Sequence, residues 1–142
     1  MTDAAVVLQK LTTLRDHLQR IQRRRPPSPD TLRADVDLQD ALALSLLVAI
    51  QEAVDIAFHI AADEGWGVPS SYAESFDILA RHGVIDPPLA NELAAASGLR
   101  TRIAHGYASV DVERLWAELP SGIAALDRYA AAVARFVPSR EA

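Results

Sequence analysis

The segment Gly98-Leu99-Arg100-Thr101-Arg102-Ile103-Ala104-His105-Gly106-Tyr107 gathers a fixed cation, an imidazole and a phenol beside a glycine able to end a helix. Metal-independent RNA cleavage needs little more. The ribose 2′-OH is the nucleophile, and an imidazole with an ordinary pKa of about 6.5 can take its proton. A guanidinium can hold the phosphate and offset the negative charge that builds in the transition state. The spacing sets a constraint, because five residues at about 100° each put Arg100 and His105 roughly 140° apart on an ideal helix. Three arrangements would overcome it: the long arginine reaches round, the helix loosens at Gly106, or two chains meet and pool their residues. Non-catalytic uses also stand, with Arg100 paired to an acidic neighbour and His105 serving as a helix-end cation.

Other chemistries find less support. No Gly-rich phosphate cradle and no helical metalloprotease histidine pair is present. His17, His59, His82 and His105 lack metal-ligand spacing, so neither a metal nor a cofactor is expected. No serine is marked as a nucleophile by its surroundings. Asp55 and His59 lie four apart on one predicted helix face, where the carboxylate could hold the imidazole. Their preferred reading is a satisfied polar pair beside the core.

These residues must be positioned by helices. Leu8, Leu11, Leu14, Leu18 and Ile21 recur at intervals of three and four, predicting a first helix from about Asp3 to Arg24. Arg25-Pro26-Pro27-Ser28-Pro29 stops it and reads as a short connector. A long second helix is expected from about Asp35 to Glu64, apolar around much of its circumference and therefore central. Gly65-Trp66-Gly67-Val68-Pro69 ends it. Ser71-Tyr72-Ala73-Glu74 fits a capping box opening a short third helix to about His82, with Gly83 as its C-terminal cap. Asp86-Pro87-Pro88 starts a fourth helix that carries the chain to Ala104 or His105. A last helical region opens near Asp111 and runs to about Phe136, with an interruption expected at Pro120. No stretch alternates with period two. The expected fold is all-α, an up-and-down bundle of four to five helices forming one domain over 1–142.

Bulk properties narrow the function classes. The 142 residues are half hydrophobic and 23% charged, which is globular composition. There are no cysteines, hence no disulfide framework and no thiolate metal site. The longest apolar run, Ala41 to Ile50, is well short of the roughly 20 residues of a membrane span. No basic-then-apolar leader opens the sequence, so a cytoplasmic protein without membrane attachment is expected. The net charge of −5 argues against general electrostatic nucleic-acid binding. RNA contact would rest on a local patch, either Arg100, Arg102 and Arg114 or Arg23, Arg24 and Arg25. The latter group is preferably read as a solvated helix end.

The pattern Arg100-x4-His105-x-Tyr107 resembles the signature of HepT-like proteins in the HEPN superfamily. Leu46-Leu47-Val48-Ala49-Ile50-Gln51-Glu52-Ala53-Val54-Asp55-Ile56-Ala57 with His59-Ile60 is similar to that family's central helix. Pro69-Ser70-Ser71-Tyr72, Phe76, Leu79, Gly83-Val84-Ile85 and Gly98-Leu99-Arg100 follow in the family's order, so the likeness spans about Asp35 to Trp116. The resemblance implies a HEPN-like helical bundle that forms a homodimer, with paired motifs meeting in a cleft between chains. It implies a metal-independent ribonuclease acting as the toxin of a two-gene module. Its partner would be a minimal nucleotidyltransferase antitoxin that transfers adenylyl groups to the motif tyrosine, here Tyr107. Arg100 and His105 would carry cleavage, with Thr101 and Arg102 in support. Thr101 departs from the strongly polar side chain, commonly Asn, that follows the motif arginine; a hydroxyl offers fewer contacts than an amide. The alternative is a non-catalytic HEPN module that engages a nucleotidyltransferase or a nucleotide, favoured by the acidic charge and by Thr101. A purely structural helical adaptor is the third reading.

Overall fold

Apolar periodicity and capping residues account for each helix. The computed structural model describes the backbone of residues 2–105 and 111–141, and the side chains of residues 2–100 and 111–138. Helix α1, Ala4–Arg24, starts where the Asp3 carboxylate accepts from the Val6 amide. It turns Val7, Leu11, Leu14, Leu18 and Ile21 inward. Arg23 and Arg24 fill its last turn and are exposed, as expected of cations at the negative end of the helix dipole.

The stretch between the connector and the long central helix holds a helix of its own, so the described residues form six helices where four to five were expected. Helix α2, Pro29–Ala34, has a serine N-cap followed at once by proline, the pair best suited to begin a helix. Ser28 Oγ accepts from the Thr31 amide at 3.3 Å. Leu32 is fully buried and anchors the element to the core. Only one apolar residue points inward over six, so no periodic stripe could announce this helix. Arg33 ties it to Glu113 in the first turn of the last helix through its Nε and Nη2.

Helix α3, Val36–Asp63, is capped by the Asp35 carboxylate, which accepts from the Leu38 amide at 3.0 Å. By length and composition it could cross a membrane, yet 56% of its most apolar 18-residue stretch is buried inside the bundle. Its apolarity therefore reflects contact on several sides: α1, α2 and the three later helices all pack against it. Helix α4, Tyr72–Arg81, and helix α5, Pro87–His105, form an antiparallel hairpin. Helix α6, Val112–Glu141, closes the bundle against α1, α2, α3 and α5. One hydrophobic cluster draws on all six helices, from Val7 to Val137. Tyr129 lies at its centre, edge-on to Phe76, with its hydroxyl donating to the Ala53 carbonyl at 2.8 Å. That bond satisfies a phenol which burial keeps firmly in its neutral form.

Two glycines end helices by the same device. Gly65 and Gly83 adopt φ of 72° and 78°, a region that costs other residues steric energy. Behind Gly65, the Trp66 amide reaches back to the Ala61 carbonyl at 2.8 Å. Behind Gly83, the Val84 amide reaches the Leu79 carbonyl at 2.9 Å. Both are Schellman caps.

The capping box at α4 is only half made. Ser71 Oγ accepts from the Glu74 amide at 3.0 Å, but the Glu74 carboxylate takes the Ser70 hydroxyl instead of returning to the Ser71 amide. Pro120 does not interrupt α6, which continues through it to Glu141. Pro120 is exposed, so the carbonyl left without its amide partner lies on the solvent side, where water can satisfy it.

Candidate active site

Helix α5 carries Arg100 and His105, and the local sequence explains its path. The Asp86 carboxylate accepts from the Leu89 amide at 2.8 Å, and Pro87 stands at the first helical position. Leu89, Ala90, Leu93 and Leu99 then face the core. Ser97, also buried, satisfies its hydroxyl on the Leu93 carbonyl at 2.9 Å. These contacts hold α5 in one rotation about its axis and so determine where Arg100 emerges.

Arg100 is half-buried, and its guanidinium carbon stands 5.6 Å from the centre of the Tyr72 ring. Its Nε is buried without a hydrogen-bond partner. Among the described residues no carboxylate pairs with it, so the acidic-neighbour arrangement is not the one found. The result is a positive charge held against an aromatic face, with no counter-ion among the described residues. Such a group suits an incoming phosphate.

The helix remains continuous from Arg100 to His105. The angular separation of the two positions, roughly 140° on an ideal helix, therefore applies to this backbone. The side chains of Thr101, Arg102 and His105, and Tyr107 entirely, lie outside the described residues. Arg114, the other cation of the proposed patch, pairs with Glu118 one turn along α6.

The expected Asp55–His59 pair is not formed. Asp55 accepts from Gln51 Nε2 at 2.9 Å and faces Lys10 Nζ at 3.7 Å, while His59 Nδ1 is 4.0 Å from Asp63. Each side chain has a nearer partner one turn away or across on α1, which the four-residue spacing could not reveal. His17 bonds Ser45, and burial lowers its pKa, with Arg20 adding to the effect. His82 stacks on Trp66 at 4.1 Å and bonds the Ile78 carbonyl at 3.0 Å. Among the described residues no three His, Cys, Asp or Glu side chains converge as metal ligands.

Glu52, Lys10, Thr13 and His59 line a shallow groove between α1 and α3. Burial raises the Glu52 pKa, the Lys10 charge lowers it and Asp55 raises it. Because the folded value lies above the ordinary 4.5, the Glu52 contribution to stability is complete below that pH. It is lost as pH rises through the folded pKa. Glu52→Gln is therefore expected to raise the urea midpoint at pH 7 and to give no gain near pH 4. Equal midpoints at pH 7 would show that Glu52 ionises in the fold without penalty.

Tyr72 is the site neighbour that the sequence did not single out. Its signal was topological: an antiparallel α4–α5 hairpin brings the first residue of α4 beside the second half of α5.

With this geometry in place, the relationship to known proteins is direct. The ribonuclease HepT-like family model matches residues 14–133. The chain belongs to the HepT-like family. An mRNA nuclease HepT of Shewanella oneidensis is 30% identical over 108 residues, covering 76% of this chain and 80% of the relative. A tRNA nuclease HepT of Aphanizomenon flos-aquae is 32% identical over 71 residues, 50% of this chain and 48% of that protein. The tri-AMPylated Shewanella oneidensis HEPN toxin, solved in complex with its MNT antitoxin, superposes with a TM-score of 0.83 at 25% identity. That match covers 95% of this chain and 99% of the toxin. The HepT-like span includes the whole Arg100-x4-His105-x-Tyr107 motif and the Tyr72 contact.

Proposed function

We propose that this HepT-like protein is a metal-independent endoribonuclease, the toxin of a two-component module, silenced by adenylylation from a partner nucleotidyltransferase. The observation that carries the reading is the Arg100 guanidinium, uncompensated by any described carboxylate, at the head of the Arg-x4-His-x-Tyr motif in a chain of this family. Relatives described as mRNA and tRNA nucleases, and a toxin held in complex with an MNT antitoxin, support it.

In the proposed reaction His105 takes the proton of the ribose 2′-OH, and the 2′ oxygen attacks the adjacent phosphorus. The bond from phosphorus to the 5′ oxygen breaks, and that oxygen leaves with a proton from solvent or from a second imidazolium. Arg100 holds the non-bridging phosphate oxygens and offsets the charge gained in the pentacoordinate state. Thr101 contributes one hydrogen bond and Arg102 a further cation to the RNA backbone. The products carry 2′,3′-cyclic phosphate and 5′-hydroxyl ends. The separation of Arg100 and His105 around one helix favours a homodimer in which two motifs face each other and pool their side chains. Tyr107 is the adenylyl acceptor, and the complex works in the cytoplasm.

The test is RNA cleavage by the purified chain in excess EDTA, after intact mass has shown Tyr107 unmodified. Cleavage with cyclic-phosphate ends is expected. Folded, unmodified protein that leaves total RNA intact would replace the nuclease reading with that of a binding module.

A further inference from the structure

We propose that Tyr72 is a positioning residue for Arg100, holding the guanidinium by its aromatic face so that the charge stays available to RNA phosphate. The inference rests on the reading of Arg100 as the phosphate clamp.

Arginine side chains are usually oriented by carboxylates, which hold the guanidinium through paired hydrogen bonds. Arg100 has no such partner among the described residues, and its buried Nε donates to nothing. Its charged end stands 5.6 Å from the Tyr72 ring centre, within the range of a cation–π contact. The two ways of holding an arginine differ in their consequence. A carboxylate would cancel the charge that a phosphate must meet, whereas an aromatic quadrupole attracts the cation and leaves its net charge intact.

The ring is itself well placed to act as a fixed surface. Tyr72 is the first residue of α4, immediately after the Ser71 cap, and its half-buried ring packs against the hydrophobic core. Its carbonyl accepts from Ser75 Oγ at 2.6 Å, and the α4–α5 packing sets its distance from Arg100. The face of the ring does the holding, so the phenol oxygen is dispensable.

The full chain is compared with Tyr72→Phe, Tyr72→Leu, Arg100→Ala and the double variant Tyr72→Leu/Arg100→Ala. Circular dichroism at the assay temperature establishes that each is folded. Two quantities are read: single-turnover RNA cleavage in EDTA, and binding of a fluorescein-labelled 2′-O-methyl oligonucleotide, which cannot be cut. A cation–π contact of ordinary strength predicts a loss of about two- to thirtyfold in cleavage for Tyr72→Leu. Tyr72→Phe is expected to stay within about twofold of wild type. Tyr72→Leu weakens oligonucleotide binding in the wild-type background and adds no further loss once Arg100 is alanine. The proposal is overturned by a Tyr72→Leu protein that cleaves like wild type while Arg100→Ala is inactive, an outcome that leaves the nuclease reading standing. It is equally overturned if Tyr72→Leu weakens binding as much without Arg100 as with it, since the ring then merely packs. Wild-type cleavage by Arg100→Ala removes both the clamp and its positioning residue.

Discussion

His105→Ala is expected to lower RNA cleavage by about 100- to 10,000-fold, the usual contribution of a positioned general base. Arg100→Ala should cost about 100- to 1,000-fold, as does removal of a principal donor to a charge-developing centre. Each loss amounts to roughly 3 kcal/mol or more of transition-state stabilisation. The two variants differ in character. Without His105 the 2′-OH has no base near its working pH, and the rate falls while RNA still binds. Without Arg100 the phosphate is held less firmly in the ground state as well, so affinity and rate decline together. Arg100→Ala should not unfold the protein, because Arg100 is not among the buried core residues and contributes no ion pair among the described groups; melts of both variants check that the fold is retained. Cleavage assays, thermal melts and growth of cells expressing each variant read the three consequences separately. Retained cleavage by either variant would show that the chemistry lies elsewhere.

Tyr107→Phe should separate killing from its control. The phenol oxygen is the proposed adenylyl acceptor, and phenylalanine keeps the ring while removing that atom. Wild-type protein incubated with the partner nucleotidyltransferase and ATP should gain adenylyl mass and fall to background cleavage. An anionic, bulky group beside the motif occupies the volume that RNA phosphate needs and presents its own charge to the arginine. Tyr107→Phe should gain no mass and retain cleavage under the same conditions, leaving cells unprotected by the antitoxin. Adenylylation of Tyr107→Phe at another side chain, with full loss of cleavage, would move the switch off this tyrosine.

Much of the fold could be read directly from the chain. The spacing of Leu8, Leu11, Leu14, Leu18 and Ile21 placed the inward face of α1: the last four are buried, but Leu8 is exposed and Val7 takes the inward place at that turn. Asp35, Ser71 and Asp86 start helices, and Gly65 and Gly83 end them, because capping is a local matter of one side chain or one positive φ. The HepT-like character was legible as well, since a motif is a property of residue order. Features that depend on neighbours remote in sequence escaped. Helix α2 exists because Leu32 is buried and Arg33 reaches Glu113 on α6; a six-residue segment has too little periodicity to declare itself. Pro120 is accommodated inside α6 because it falls on the solvent side, a position set by how α6 packs.

The site divides along the same line. Residue types and order determined that a guanidinium, an imidazole and a phenol fall within eight residues of sequence, and which chemistry they suit. Asp55 and His59 show how far spacing reaches, for their four-residue separation allowed a pair, while Asp55 is bonded by Gln51 and faces Lys10, and His59 faces Asp63. Only the tertiary structure decided that no described carboxylate would neutralise Arg100 and that the Tyr72 ring would lie beside it. The physical reason is that charge and reactivity belong to the side chain. Whether the charge is cancelled, buried or left facing a ligand depends on which distant surfaces the packing of α4 against α5 brings within a few ångströms.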